Sequence, residues 1–152
     1  MKVIMTGGGT GGHIYPAIAI ADKIKEKQPD AEILFVGTQK GLEKTLVPNN
    51  GYPIQFITVS GFDRRNMLKN IKTAADLVKG LSQAKKIIKS FKPDVVIGTG
   101  GYVCGPVVKT AAKMGIRTYI HEQNAFPGMT NKMLEPYVDK VFMGFEKAGE
   151  YF

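Results

Sequence analysis

Gly7, Gly9 and Gly12 stand at G-x-G-x-x-G spacing, directly before His13. Glycines so placed let a backbone approach a diphosphate, and a helix beginning there offers unpaired N–H groups and the positive end of its dipole. A second run, Gly100-Gly101-Tyr102-Val103-Cys104-Gly105, meets Pro106 in the same way. Two such corners, each feeding a helix, predict a ligand carrying two negative groups. A third cluster is His121-Glu122-Gln123-Asn124. His13 stands at the entrance of the first of these helices. His121 reads as a packed strand-end histidine rather than a catalyst. No Asp-x-Asp pair and no His/Cys cluster is present, so neither a protein-ligated metal nor a cofactor is implied.

Two familiar nucleotide sites are disfavoured. Dinucleotide binding calls for an acid at the end of the second strand to hold a ribose, and that strand ends Phe35-Val36-Gly37-Thr38. A P-loop calls for Gly-Lys-Ser or Gly-Lys-Thr after the glycines, and neither follows.

The elements that must position these residues alternate. Strands are predicted at Lys2 to Thr6, Glu32 to Val36, Ile54 to Val59, Asp94 to Ile97, Arg117 to Ile120 and Lys140 to Met143. Helices are predicted from Pro16 to about Lys27, Leu42 to Val47 with Pro48 closing it, Met67 to Ser90, onward from Pro106, and Met129 to Leu134. Proline suits a first helical turn, where its missing N–H has no partner anyway. Strand–helix alternation with long crossovers implies an α/β fold, a Rossmann-like parallel sheet with helices on both faces. Ligands of such sheets sit outside the carboxyl ends of the strands, where all three clusters fall.

With 152 residues, 43% of them hydrophobic, the chain is one domain with a real core. Twenty-one Lys and Arg against 13 Asp and Glu give a formal +8, which favours an anionic partner. The single cysteine, Cys104, precludes an internal disulfide and fits a reducing compartment. A reactive thiol is expected there, because a helix start in an anion-receiving loop favours the thiolate. No signal-peptide pattern is visible, and no segment approaches the ~20 apolar residues that span a bilayer.

The three clusters, in this order and spacing, resemble the MurG family of peptidoglycan glycosyltransferases. Lys92-Pro93-Asp94-Val95-Val96 before the second loop and Thr130-Asn131-Lys132 after the third cluster belong to the same likeness, which covers essentially all 152 residues. Cys104 departs from it, since the family usually has serine there. The resemblance implies one half of a GT-B glycosyltransferase. That family transfers N-acetylglucosamine from UDP-N-acetylglucosamine to the C4 hydroxyl of lipid I, with inversion, to make lipid II. It implies that residues 1–152 are the acceptor- and membrane-binding N-terminal domain. A donor-binding C-terminal domain would lie outside this sequence, so these residues alone would be inactive. Carried over, the catalytic residues would be His13 and Glu122, with Glu122 facing the cleft as an alternative base or an orienter. The His13 imidazole, with an ordinary pKa of about 6.5, would serve either as the base on the acceptor hydroxyl or only as a hydrogen-bond partner of phosphate, and both readings stay open. Gly8, Gly9, Thr10, Gly11, Gly12, Gly100, Gly101 and Tyr102 would bind the acceptor and its diphosphate. Thr10, Gly11, Gly12 and Asn124 would face the donor.

The same resemblance implies a peripheral protein on the cytoplasmic face of the cell membrane. Ile71, Ala75, Val78 and Leu81 share one helical face, with Lys69, Lys72, Lys79, Lys85, Lys86, Arg64 and Arg65 around it. Leu68, Leu77, Ala84, Ile88 and Phe91 form a separate stripe for the core. The membrane contact is therefore assigned to Ile71, Lys72, Val78, Lys79 and Leu81. Two other functions compete: a non-catalytic polyprenyl-diphosphate module, or the acceptor subunit of a split glycosyltransferase, and a nucleic-acid binder drawn from the positive charge. The last is disfavoured, because no nucleic-acid motif is present and the basic residues gather around an apolar face.

Overall fold

A computed structural model describes the backbone of residues 1–61 and 67–152, with side chains at 1–61 and 71–152. Six strands form one parallel sheet: β1 (Lys2–Thr6), β2 (Glu32–Gly37), β3 (Ile54–Phe56), β4 (Val95–Gly98), β5 (Arg117–Glu122) and β6 (Lys140–Met143). Their order is β3-β2-β1-β4-β5-β6. Every neighbouring pair is parallel. This is the doubly wound arrangement, whose order reverses between β1 and β4. Five helices connect the strands: α1 (Gly11–Lys27), α2 (Glu43–Asn49), α3 (Met67–Phe91), α4 (Cys104–Lys113) and α5 (Met129–Leu134).

Because successive strand residues point to opposite faces, one strand serves two cores. Val3 and Met5 join Ile33, Phe35, Val95 and Ile97 under α1 and α2, which contribute Ile14, Ala17, Ile18, Ala21 and Val47. Ile4 joins Leu34, Val36, Val96 and Ile120 on the other face, under Ala84, Ile87 and Ile88 of α3, Val107, Val108 and Ala111 of α4, and Leu134 of α5. The near-continuous apolar strands of the sequence reflect this double burial.

Several boundaries differ from expectation, and the differences place the site. Helix α1 starts at Gly11, so Pro16, expected in a first helical turn, lies in the second. The first turn is therefore built from the glycine loop itself, and His13 belongs to it. Helix α4 opens at Cys104, which puts Pro106 in its first turn, where a missing N–H costs no bond. Strand β5 runs on to Glu122, so that carboxylate springs from a paired strand position. Strand β3 ends at Phe56, short of Val59.

Helix α3 overshoots the sheet. A Cβ on Gly80 would lie 2.5 Å from the carbonyl oxygen of Thr58, which marks where the helix passes the edge. Beyond that point, toward its N-terminus, Ile71, Lys72, Ala75, Leu77, Val78 and Lys79 are exposed. Leu77, read as core, is 42% exposed. Leu81, read as membrane-facing, is half-buried, one residue past the close approach at Gly80. The expectations for Arg64, Arg65, Leu68 and Lys69 lie outside the described residues. Among the described residues no helix is long and apolar enough to cross a membrane.

Candidate functional site

The turns after β1 and β4 flank the reversal of strand order and interlock there. The Gly8 N–H donates to the Gly100 carbonyl at 3.2 Å. Gly101 lies against the Gly8 backbone so closely that a Cβ could not fit, and a Cβ on Gly100 would lie 2.5 Å from His13 Nδ1. Gly100 and Gly101 adopt positive φ, 114° and 88° respectively, which other residues rarely reach. Glycine in the second loop is thus required by the first loop and by His13.

A cavity of about 240 Å³ opens at this junction, lined by Gly8, Gly9, Thr10, His13, Gly100, Gly101, Tyr102, Gly128, Met129, Thr130 and Asn131. Seven of the residues selected from sequence meet here. Gly11 and Gly12 sit beside it in the first turn of α1, where no described residue accepts from their N–H groups. Across Gly8, Gly9 and Tyr102 lies a second cavity of about 310 Å³, reaching Thr38, Lys40, Glu43 and Ser60. Tyr102 stands between the two, 61% exposed.

His13 is half-buried, with its ring edge turned inward. Its Nδ1 lies 3.1 Å from the Thr99 carbonyl and 2.8 Å from Gln123 Nε2. Thr99 also donates its hydroxyl to the His13 carbonyl at 2.7 Å. The first helical turn, the end of β4 and the third cluster therefore meet at one imidazole. No described residue bonds its Nε2, the nitrogen left for a ligand.

Glu122 does not face the cleft. It is 1% exposed. Oε1 accepts from the N–H and the side-chain amide of Asn124 at 3.0 and 2.9 Å. Oε2 accepts from Gly128 N–H at 3.0 Å and Asn131 Nδ2 at 2.8 Å. Burial by itself would raise its pKa. The Asn124 backbone, Asn131, Gly128 and the Asn124 side chain outweigh that and hold the carboxyl below its ordinary range. A base so saturated with donors has no lone pair to offer a substrate. Glu122 instead shapes the loop that carries Gly128 to Asn131 into the cavity wall. Asn124 is exposed, but its amide nitrogen is turned back to Glu122. His121 is half-buried on β5, away from the cavity lining.

Cys104 is fully buried. Its sulfur accepts from Gly100 N–H at 3.2 Å and faces the carbonyls of Thr6 and Gly100, each at 3.0 Å. Burial pushes the thiol up to about 11, against smaller opposing contributions from those hydrogen bonds. The expectation of a reactive thiolate is overturned: the side chain points under the loop, and desolvation exceeds any benefit of the helix start.

Glu43 was not singled out in the sequence. It too is 1% exposed. It accepts from Gly9 N–H at 2.9 Å, Thr38 N–H at 2.9 Å and Thr38 Oγ1 at 2.8 Å. A Cβ on Gly8 would lie 2.6 Å from its Oε1, and Gly37 and Gly41 hold similarly close space. The second strand does acquire an acid at its end, delivered from α2, but it is consumed in tying the first loop down. Its signal in the sequence was Gly37 and Gly41 bracketing the β2–α2 turn. Among the described residues no group of three His, Cys, Asp or Glu side chains could hold a metal ion.

Comparison with known proteins gives this architecture a family. The 152 residues are 61% identical to an Alkaliphilus oremlandii protein and 56% identical to one from Bacillus thuringiensis subsp. konkukian. Both are UDP-N-acetylglucosamine--N-acetylmuramyl-(pentapeptide) pyrophosphoryl-undecaprenol N-acetylglucosamine transferases, and the chain spans 42% of the length of each. It superposes on Acinetobacter baumannii MurG with a TM-score of 0.83 at 33% identity, covering 96% of this chain and 42% of that one. A UDP-N-acetylglucosamine 2-epimerase from Methanocaldococcus jannaschii, 19% identical with a TM-score of 0.67, shares the fold alone. Residues 3–143 match the glycosyltransferase family 28 N-terminal domain, the family to which this chain belongs.

Proposed function

We propose that this domain receives the acceptor in transfer of N-acetylglucosamine from UDP-N-acetylglucosamine to the C4 hydroxyl of lipid I. The observation that carries the reading is the convergence on one cavity of His13, the glycine loops and Tyr102, in a chain whose relatives bear that activity in their names. The N–H groups of Gly11 and Gly12, which no described residue engages, and the α1 dipole suit the acceptor's diphosphate. His13 Nε2 takes the proton of the acceptor hydroxyl as its oxygen attacks the anomeric carbon. The bond from that carbon to the UDP oxygen breaks, and the electron pair leaves with UDP, which inverts the centre. Glu122 and Asn131 act by holding the cavity wall. The donor is held mainly by a C-terminal domain, with Thr10, Gly11, Gly12 and Asn124 on the side facing it.

The exposed face of α3, with Ile71 and Val78 at 70% and 68% exposure beside Lys72 and Lys79, is the surface proposed to rest on the cytoplasmic leaflet. Each basic residue near an anionic surface contributes about 1 kcal/mol. Reversing Lys72 and Lys79 to Glu is expected to weaken binding to anionic vesicles strongly. Undiminished binding to neutral vesicles at high salt would instead mean apolar insertion.

The activity is tested in a chimera joining this chain to the C-terminal remainder of the Alkaliphilus oremlandii relative. Turnover of UDP-N-acetylglucosamine with lipid I is expected, and His13→Ala should slow the chemical step by roughly 10²–10⁴ while leaving acceptor affinity largely intact. A loss confined to acceptor affinity makes His13 a phosphate ligand. Lipid binding without turnover in a folded chimera makes the domain a capture module.

A further inference from the structure

The third cluster contains a residue to which no role has been given. Gln123 reaches back from the end of β5 to His13 Nδ1, at 2.8 Å, and its own Oε1 is buried without a partner among the described residues. The Thr99 carbonyl lies 3.1 Å from the same Nδ1. A neutral imidazole nitrogen carries either a proton or a lone pair, never both. Thr99 can only accept, so its contact is productive when Nδ1 bears the proton. An amide nitrogen can only donate, so its contact is productive when Nδ1 is bare, and a bare Nδ1 then faces a carbonyl lone pair. Turning the Gln123 amide about its terminal bond exchanges nitrogen for oxygen at the same place. Oε1 then gains Nδ1–H as a donor, and both neighbours of Nδ1 become acceptors.

We propose that Gln123 is a positioning residue that sets the tautomer of His13. Its amide oxygen, with the Thr99 carbonyl, holds the proton on Nδ1. Nε2 is thereby left bare on the ring that lines the cavity, the form that can accept a proton from a hydroxyl. With the amide nitrogen toward the ring, His13 would instead present Nε2–H, a donor suited to phosphate and useless as a base. The two readings of His13 left open by the sequence are thus the two orientations of one neighbouring amide. The inference rests on the proposed base role for its purpose, while the tautomer itself is measurable without substrate.

The chain has only two histidines, His13 and His121, so ¹⁵N-histidine labelling gives two imidazoles, distinguished by a His121→Gln variant. Long-range ¹H–¹⁵N spectra of the folded 152-residue chain, taken well above the pH at which the rings titrate, report which nitrogen is protonated. His13 is expected to show the Nδ1–H form. Gln123→Met, of similar length without the amide, should move the tautomer ratio toward Nε2–H by about fivefold, the size of one neutral hydrogen bond. Gln123→Glu, whose carboxylate can only accept, should keep Nδ1–H and so restores the signature if the methionine variant folds poorly. An Nε2–H tautomer in the unaltered chain, or a ratio unmoved by Gln123→Met, overturns the inference. If the tautomer responds as expected while His13→Ala in the chimera costs only acceptor affinity, Gln123 still sets the tautomer and the base reading alone fails.

Discussion

Two carboxylates, Glu43 and Glu122, are equally buried at the binding edge of the sheet, each 1% exposed. Each ties down a loop that lines the cavity. Glu43 ties the β2–α2 turn to the first glycine loop through Gly9 and Thr38. Glu122 ties the loop between β5 and α5 through Asn124, Gly128 and Asn131. They differ in their donors. Glu43 has two backbone amides and one hydroxyl, which can rotate to another acceptor. Glu122 has two backbone amides and two side-chain amides, and one of those, on Asn131, is itself buried. The acids at this edge are therefore ties that fix loops. His13 differs from both in keeping one ring nitrogen, Nε2, that no described residue engages.

The comparison is sharpest when each tie is cut. Glu122→Leu would remove the acceptor shared by four donors, of which the Asn131 amide is buried, and is expected to cost about 3–5 kcal/mol by urea unfolding. Glu43→Leu would remove the acceptor of two backbone amides and of a hydroxyl that can turn elsewhere, for about 2–4 kcal/mol. Equal losses would mean that donor count does not set the cost. A Glu43 loss clearly above that of Glu122 would reverse the ranking.

A milder probe uses pH. The folded pKa of Glu122 lies below its ordinary value of 4.5, so the unfolded chain takes up that proton first as the solution is acidified. Its contribution to stability is complete above the unfolded pKa and is lost as pH falls through the folded one. The stability gap between the unaltered chain and Glu122→Gln should therefore narrow between about pH 5 and pH 3, as urea midpoints would show. A gap constant over that range would mean that the carboxylate is not preferentially ionised in the fold.

The sheet was legible because its signals are local and redundant. The apolar runs of β1, β2 and β4 bury both faces, and β2 and β4 end in glycine while β1 runs straight into Gly7, where the chain must turn. The cavity was legible in outline because parallel strands deliver their ends to one edge. What the spacing could not convey was where a side chain finds its donors. Glu122 sits at the edge by sequence, yet its carboxylate curls back to Asn124 two residues on and Asn131 nine residues on. Glu43 lay outside every motif, and only three-dimensional proximity brings it beneath Gly8 and Gly9. Helix starts misled for a related reason: Pro106 does lie in the first turn of α4, but Pro16 lies in the second turn of α1, and neither proline opens its helix.

Cys104 gives the smallest expected effect and a clean test of this distinction between position and orientation. By position it heads α4 beside the cavity, as a reactive thiolate would. By orientation its sulfur replaces a hydrogen-bond partner under the second loop, between Gly100 and Thr6. Alkylation by iodoacetamide near neutral pH should be negligible in the folded chain and rapid only after unfolding. The thiol titrates near 11 in the fold, above its ordinary 9, so its contribution is complete below about pH 9 and is lost as pH rises toward 11. Cys104→Ser should change stability by less than about 1 kcal/mol, because a hydroxyl can likewise accept from Gly100 N–H and donate to a carbonyl. Cys104→Val, close in size with neither capacity, should cost more, about 1–3 kcal/mol, by leaving the Gly100 amide buried and unmet. If serine and valine cost the same, the sulfur is only filling space. If the native thiol labels quickly at neutral pH, the second loop opens in solution and the cavity wall is not fixed by it.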